Sequence, residues 1–215
     1  MNTQNQYTDT LKDIKQMMER SSRFISLSGL SGIAAGICAL TGAWFAHLSL
    51  QKHLVNLNIV DEVSFNENYL RFRESITKDL LTIAAITLFS AILFAFLFTF
   101  LRSKKTETPL WGNTAKRLMV NVSIPLVAGG IYLLKMVDLG IIRLIAPGCL
   151  IFYGLALLNA SKYTLKEIRY LGLSEIALGL INILFIGKGL FFWAFGFGVL
   201  HIVYGFVMWW KYERN

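Results

Sequence analysis

Two cysteines, three prolines and three histidines are all that 215 residues hold of those types. Cys38 and Cys149 both fall inside long apolar runs, whereas a disulfide framework or zinc site needs paired spacing outside lipid. Each therefore reads as a small packing residue. His47 and His53 lack the spacing that would place both on one helix face as metal ligands, so no metal site is expected. Acids are also few, 13 against 21 lysines and arginines. No nucleotide-binding or catalytic motif stands out, so no cofactor and no enzyme activity are expected. Membrane hydrolases and transferases use paired acids, histidine clusters or a positioned nucleophile. This chain offers one acid and one histidine within its apolar runs.

Apolar residues are what it has in quantity: 55% of the chain, with a mean hydropathy of +0.54. A soluble fold needs far more polar surface. The apolar residues come in blocks, and crossing the roughly 30 Å of bilayer hydrocarbon takes about 20 of them. Six blocks qualify: Phe24–Leu50, Leu80–Leu101, Leu118–Leu134, Ile141–Ala160, Tyr170–Ile186 and Leu190–Trp210. The expected fold is an all-α membrane protein, a six-transmembrane-helix bundle.

The net charge of +8 would suit a nucleic-acid partner, but its distribution excludes one. With six spans and the N-terminus inside, the inner segments hold fourteen of the 21 basic residues, from Lys12 to Arg214. The outer ones, such as Lys52, Arg71, Arg73, Lys78, Lys135, Arg143 and Lys188, sit mostly among acids. The positive-inside rule explains this bias and puts both termini in the cytoplasm of a cell inner membrane. Membrane lipid is the expected partner. A homo-oligomer and another membrane or cytoplasmic protein are open alternatives. Residues 1–23 are too polar, and the next apolar run too long, for a cleaved signal peptide.

The chain divides into a cytoplasmic segment 1–23, a first hairpin 24–101, a cytoplasmic linker 102–117, a four-helix region 118–210 and a tail 211–215. In the first segment Leu11, Ile14 and Met18 share one face of a short amphipathic helix. The hairpin carries an extracytoplasmic loop 51–79, where Ser64-Phe65-Asn66-Glu67 reads as a capping box that starts a long helix near Phe65. Pro109 and Gly112 mark the linker as a joint, and Lys135–Gly140 and Gly187–Gly189 read as tight turns. Pro125 and Pro147 are expected to kink spans three and four. Trp111, Trp193, Trp209 and Trp210 fall at predicted interfaces.

An internal similarity runs through the spans. Gly29-Leu30-Ser31-Gly32-Ile33-Ala34-Ala35-Gly36-Ile37 matches Gly172-Leu173-Ser174-Glu175-Ile176-Ala177-Leu178-Gly179-Leu180 at six of nine positions. Spans four and six share Tyr153-Gly154 and Tyr204-Gly205. The expectation is three two-helix hairpin repeats in parallel orientation.

Candidate polar residues within the membrane are Glu175, Asn182 and His201. A carboxylate in a span is costly, and so is buried, paired or functional. Gly172, Glu175, Gly179 and Asn182 share one stripe of span five; Gly198, His201 and Gly205 share one of span six. With Gly29, Gly32 and Gly36, these glycines are the candidate helix-packing positions. A proton relay between Glu175 and His201 would require the two stripes to face each other.

From Met17-Met18-Glu19-Arg20-Ser21-Ser22-Arg23-Phe24 through Ile25-Ser26-Leu27-Ser28-Gly29 to Gly36, the chain resembles an uncharacterised family of bacterial, Bacteroidota-type, polytopic membrane proteins. The resemblance implies membrane location and carries no site residues. A regulator gene beside some members hints at sensing or stress response. Three functional classes remain in view. A structural, regulatory or signalling membrane protein is the first choice, a small transporter or channel using the polar stripes of spans five and six the second, and a membrane enzyme the last.

Overall fold

The structure, a computed structural model, describes residues 28–57, 65–106 and 111–214; of residues 54–57 and 65–71 it describes the backbone alone. The amphipathic segment around Leu11, the Ser64–Glu67 capping box, Pro109 and the segment Met17–Leu27 lie outside the described residues.

Among the described residues the chain is helical, with no strand. The long helices are α1 (Gly29–Leu57), α2 (Phe65–Thr106), α3 (Asn113–Asp138), α4 (Ile145–Ala160) and α5 (Glu167–Leu184), followed by α6 (Gly189–Tyr212). α2 is described from Phe65 and runs 42 residues to Thr106. α3 continues through Pro125 without interruption. A 3₁₀ turn, Ile142–Leu144, leads into α4. The connections into α4 and α6 are short because Gly140 (φ 75°) and Gly187 (φ 99°) adopt left-handed backbone that a side chain would oppose.

Five helical segments are long and apolar enough to cross a membrane: Gly29–His53, Phe72–Thr106, Asn113–Asp138, Ile142–Ala160 and Gly189–Tyr212. Their surroundings point the same way. Only 6% of the most apolar stretch of α2, and of α3, is buried inside the protein. Ile86, Leu88, Phe89, Ile92 and Phe96 of α2 all stand exposed, as do Ile124, Val127 and Ile131 of α3. A helix on a water-facing surface needs a polar face. These have apolar side chains on outward faces, which lipid solvates without cost. α5 is as long as 18 residues but carries Glu167, Arg169 and Glu175, and so does not qualify by composition.

The most extensive contacts join α4 to α5, α1 to α2, α1 to α6 and α3 to α4. α1 and α6, the first and last helices, thus close on each other. At one end Glu213, just past α6, fastens them. Its carboxylate accepts hydrogen bonds from Arg102 Nη1 of α2 (2.8 Å), from Ser28 Oγ (3.1 Å) and from the Gly29 amide. The first amides of a helix lack intrahelical partners and carry partial positive charge, so a carboxylate there both caps and neutralises α1. Beside it, Lys211 and Tyr212 of α6 both bond Glu167 of α5. At the opposite end, Asp79 of α2 meets His53 Nε2 of α1 at 2.9 Å and Ser49 Oγ at 3.3 Å.

Candidate functional site

Glycines decide how closely the helices approach. A Cβ on Gly36 of α1 would lie 2.7 Å from both the Gly198 carbonyl oxygen and Ile202 Cγ1 of α6. A Cβ on Gly179 of α5 would lie 2.9 Å from the Pro147 carbonyl oxygen and 2.7 Å from Ile151 Cγ1 of α4. A Cβ on Gly205 would meet the Gly29 oxygen and the Ile33 amide, each at 2.6 Å. One on Gly154 would meet the Gly172 oxygen at 2.7 Å and the Ile176 amide at 3.0 Å. Gly29 and Gly172 stand alike against the amides of Trp209 and Leu158. The two matching segments of the sequence thus contact the two Tyr-Gly helices in the same register: α1 on α6 and α5 on α4. Gly32 also faces Gly205, and Gly198 holds Leu40. Small residues serve this purpose in lipid because van der Waals contact replaces the hydrophobic drive.

Gly32 and Glu175 occupy the same place in the two segments. Where Gly32 lets α1 close onto α6, Glu175 reaches from α5 across to α6. Its Oε2 fills the space beside Gly196, where a Cβ would lie only 2.5 Å away. Its Oε1 lies 3.5 Å from His201 Nδ1. The imidazole is held at both nitrogens: Nδ1 lies 3.0 Å from the Gly196 carbonyl oxygen, and Nε2 lies 2.7 Å from the Tyr153 hydroxyl of α4. A carbonyl can only accept, so Nδ1 carries a proton and donates it there. In the neutral ring, Nε2 then accepts from the Tyr153 O–H.

The backbone of α6 helps to build this centre. Residues Ala194–Leu200 form a π-helix, and it ends where His201 begins. Wider turns of this kind occur mostly as single insertions in α-helices, frequently at functional sites. The Phe197 ring stacks on His201 with centroids 6.0 Å apart and also meets Tyr153 and Trp193, each at 5.0 Å.

The centre is closed. Glu175 is 0% exposed, Asn182 1% and His201 6%. Glu175 and Asn182 are thus among the best-buried side chains described, together with Leu150 and Pro147. Among the described residues neither Glu175 oxygen has a hydrogen-bond partner, and neither does Asn182 Nδ2. Of the three polar residues singled out in the sequence, the structure brings Glu175 and His201 together. Asn182 stands two turns further along α5, apart from them. Tyr153 is the member that sequence reasoning used only as a marker of similarity. Its signal was a phenol in mid-span beside a glycine, a polar tip that needs a partner when buried. Cys38 and Cys149 are free thiols on different helices.

Glu175, His201 and Tyr153 thus bring titratable side chains of α5, α6 and α4 to one buried place, with a hydrogen bond between His201 and Tyr153 and with Glu175 3.5 Å from the ring. No family model matches this chain, and neither does any curated protein or solved structure compared with it.

Proposed function

We propose that the protein is a six-span integral protein of a bacterial inner membrane, with both termini cytoplasmic, and that its role is structural or regulatory. The observation that carries this reading is the enclosure of its polar centre: Glu175, Asn182 and His201 all stand at 6% exposure or less. A transport path needs such groups to meet water.

The six-span topology draws support from α5. It lies antiparallel along α4, with Gly172 against Gly154 and Gly179 against Pro147 and Ile151. Its 18 residues rise about 27 Å. If α4 crosses the bilayer, α5 crosses beside it, with its one central acid turned inward. The equal registers of α1 on α6 and α5 on α4 likewise support a repeated hairpin unit. The inner-positive charge distribution supports the orientation.

An unpaired carboxylate inside a bundle costs several kcal/mol. His201 Nδ1, 3.5 Å from the Glu175 carboxyl, couples that cost to the packing of α5 on α6. Regulation through helix packing follows from that coupling. A transport role has one observation in its favour, the unpartnered polar atoms of Glu175 and Asn182 on one stripe of α5.

Thiol labelling in intact membranes separates the two. On a Cys38→Ser, Cys149→Ser background, Glu175→Cys, Asn182→Cys and His201→Cys are probed singly with a membrane-impermeant reagent from each side. All three are expected to stay unlabelled in the native state and to label after denaturation. Labelling of Asn182→Cys and His201→Cys in native membranes would replace the regulatory reading with transport.

A further inference from the structure

At the end remote from Glu213, helices α1, α2, α4 and α6 enclose a cavity of about 340 Å³. That lies at the lower end of the range for small-molecule sites. Its walls owe their spacing to small residues, among them Ala43 and Ala46 of α1, Ala84 of α2 and Ala146 of α4. Along α2 it extends from Thr77 to Thr87, a rise of about 15 Å. Trp193 lines it as well. The shape is long, narrow and almost wholly apolar. Leu81, on its α2 wall, is 43% exposed on a helix whose outer faces are apolar, so the cavity communicates with the lipid side of the bundle.

The mouth has the opposite character. Arg143 lines this cavity and an adjoining one, where Arg73 joins it. The acids described at this end are already engaged: Asp79 with His53, Glu74 with Lys78 and Asp138 with Lys135. Among the described residues neither Arg73 nor Arg143 has a carboxylate within ion-pair distance. Arg73 is placed rather than free, since its guanidinium packs on Gly140, where a Cβ would lie 2.6 Å from Nη1. A guanidinium at the apolar slot, Arg143, with a second, Arg73, in the adjoining pocket, matches an anionic oxygen cluster joined to a hydrocarbon chain.

We propose that this cavity binds one acyl chain of an anionic phospholipid from the surrounding leaflet, with the lipid phosphate held by Arg73 and Arg143. A zwitterionic head would bring its own cation against the two guanidiniums, so the site discriminates by headgroup charge. The site includes none of Glu175, His201 and Tyr153 and stands whether or not the regulatory reading does.

The test uses the full chain in nanodiscs of unbrominated phosphatidylcholine, titrated with lipid brominated on its acyl chains. Bromine quenches a tryptophan it touches, and the difference between the native chain and Trp193→Phe isolates the cavity signal from the other four tryptophans. Brominated phosphatidylglycerol is expected to reach half-quenching at about a tenfold lower mole fraction than brominated phosphatidylcholine. The double variant Arg73→Gln, Arg143→Gln is expected to abolish that preference, and Ala146→Phe to remove quenching by both lipids. Equal quenching by the two lipids, or a preference that survives the arginine substitutions, would overturn the proposal. So would saturation by a brominated free fatty acid where phosphatidylglycerol fails, which would make the ligand a fatty acid.

Discussion

Tyr153 and His201, on helices α4 and α6, share a 2.7 Å hydrogen bond, and among the described residues the Glu175 carboxyl is the other polar group that meets the imidazole across a helix contact. Tyr153→Phe removes the hydroxyl and keeps the ring, leaving His201 Nε2 unsatisfied. Hydrogen bonds between membrane helices average about 0.6 kcal/mol and reach about 1.7. The enclosed setting places this one toward the upper figure. In a double-mutant cycle with His201→Phe, read by thermal unfolding in micelles, a coupling of about 1 kcal/mol or more is expected. Strict additivity would show that the bond contributes nothing.

The glycine contacts predict a graded series. Gly205→Ala and Gly154→Ala drive a methyl group into the backbone of the facing helix, at 2.6 and 2.7 Å. Separating the helices should cost each variant about 1–3 kcal/mol. Among the described residues, Gly130 in α3 has nothing within 4 Å of such a methyl. Gly130→Ala should therefore stabilise slightly, by about 0.5–1 kcal/mol, because alanine favours the helix. Equal responses at the three sites in unfolding assays would contradict the packing described.

Glu213 joins three elements at once, so its loss should exceed that of either partner. Glu213→Ala removes both its own ion pair with Arg102 and the side-chain acceptor of the Gly29 amide; Arg102→Gln spares the second contact. Both side chains of the pair are nearly buried, at 10% and 13% exposure. Hydrogen bonds to charged groups contribute about 1.5–3 kcal/mol. The expected order of melting temperature is native, then Arg102→Gln, then Glu213→Ala. The reverse order of the two variants would remove the capping role.

Glu167 makes a pH prediction. Burial raises its carboxyl pKa, but the Lys211 ammonium, its own backbone amide and the Tyr212 hydroxyl together outweigh that and leave it below the ordinary 4.5. A depressed folded-state pKa gives stability that is present above the unfolded value and lost as pH falls through the folded one. Melting temperature should therefore fall on acidification below about pH 4.5, and Glu167→Gln should flatten that part of the profile. Because Lys211 is well exposed, the effect is small and shrinks with salt.

Much of this architecture is legible residue by residue. Apolar block length locates the helices, since a helix rises about 1.5 Å per residue and the hydrocarbon is about 30 Å thick. The turns at Gly140 and Gly187 follow from conformational freedom. The stripes of Gly29, Gly32 and Gly36, and of Gly172, Glu175 and Gly179, follow from the 3.6-residue period alone. Glu213 escaped notice because a single acid after a tryptophan pair has no local pattern; its partners lie more than a hundred residues away in Arg102 and Gly29.

What the sequence determined by itself, then, is which side chains share a face of each helix. Which face meets which was decided only by the tertiary structure. Periodicity sets a residue's angle about its own axis but carries no information on the azimuth of the neighbouring helix. In lipid no hydrophobic difference between apolar faces supplies it. The close backbone approach of α1 to α6 and of α5 to α4 sets those azimuths. It turns Glu175 toward His201, brings Tyr153 to the ring from the far side, and leaves Asn182 two turns away.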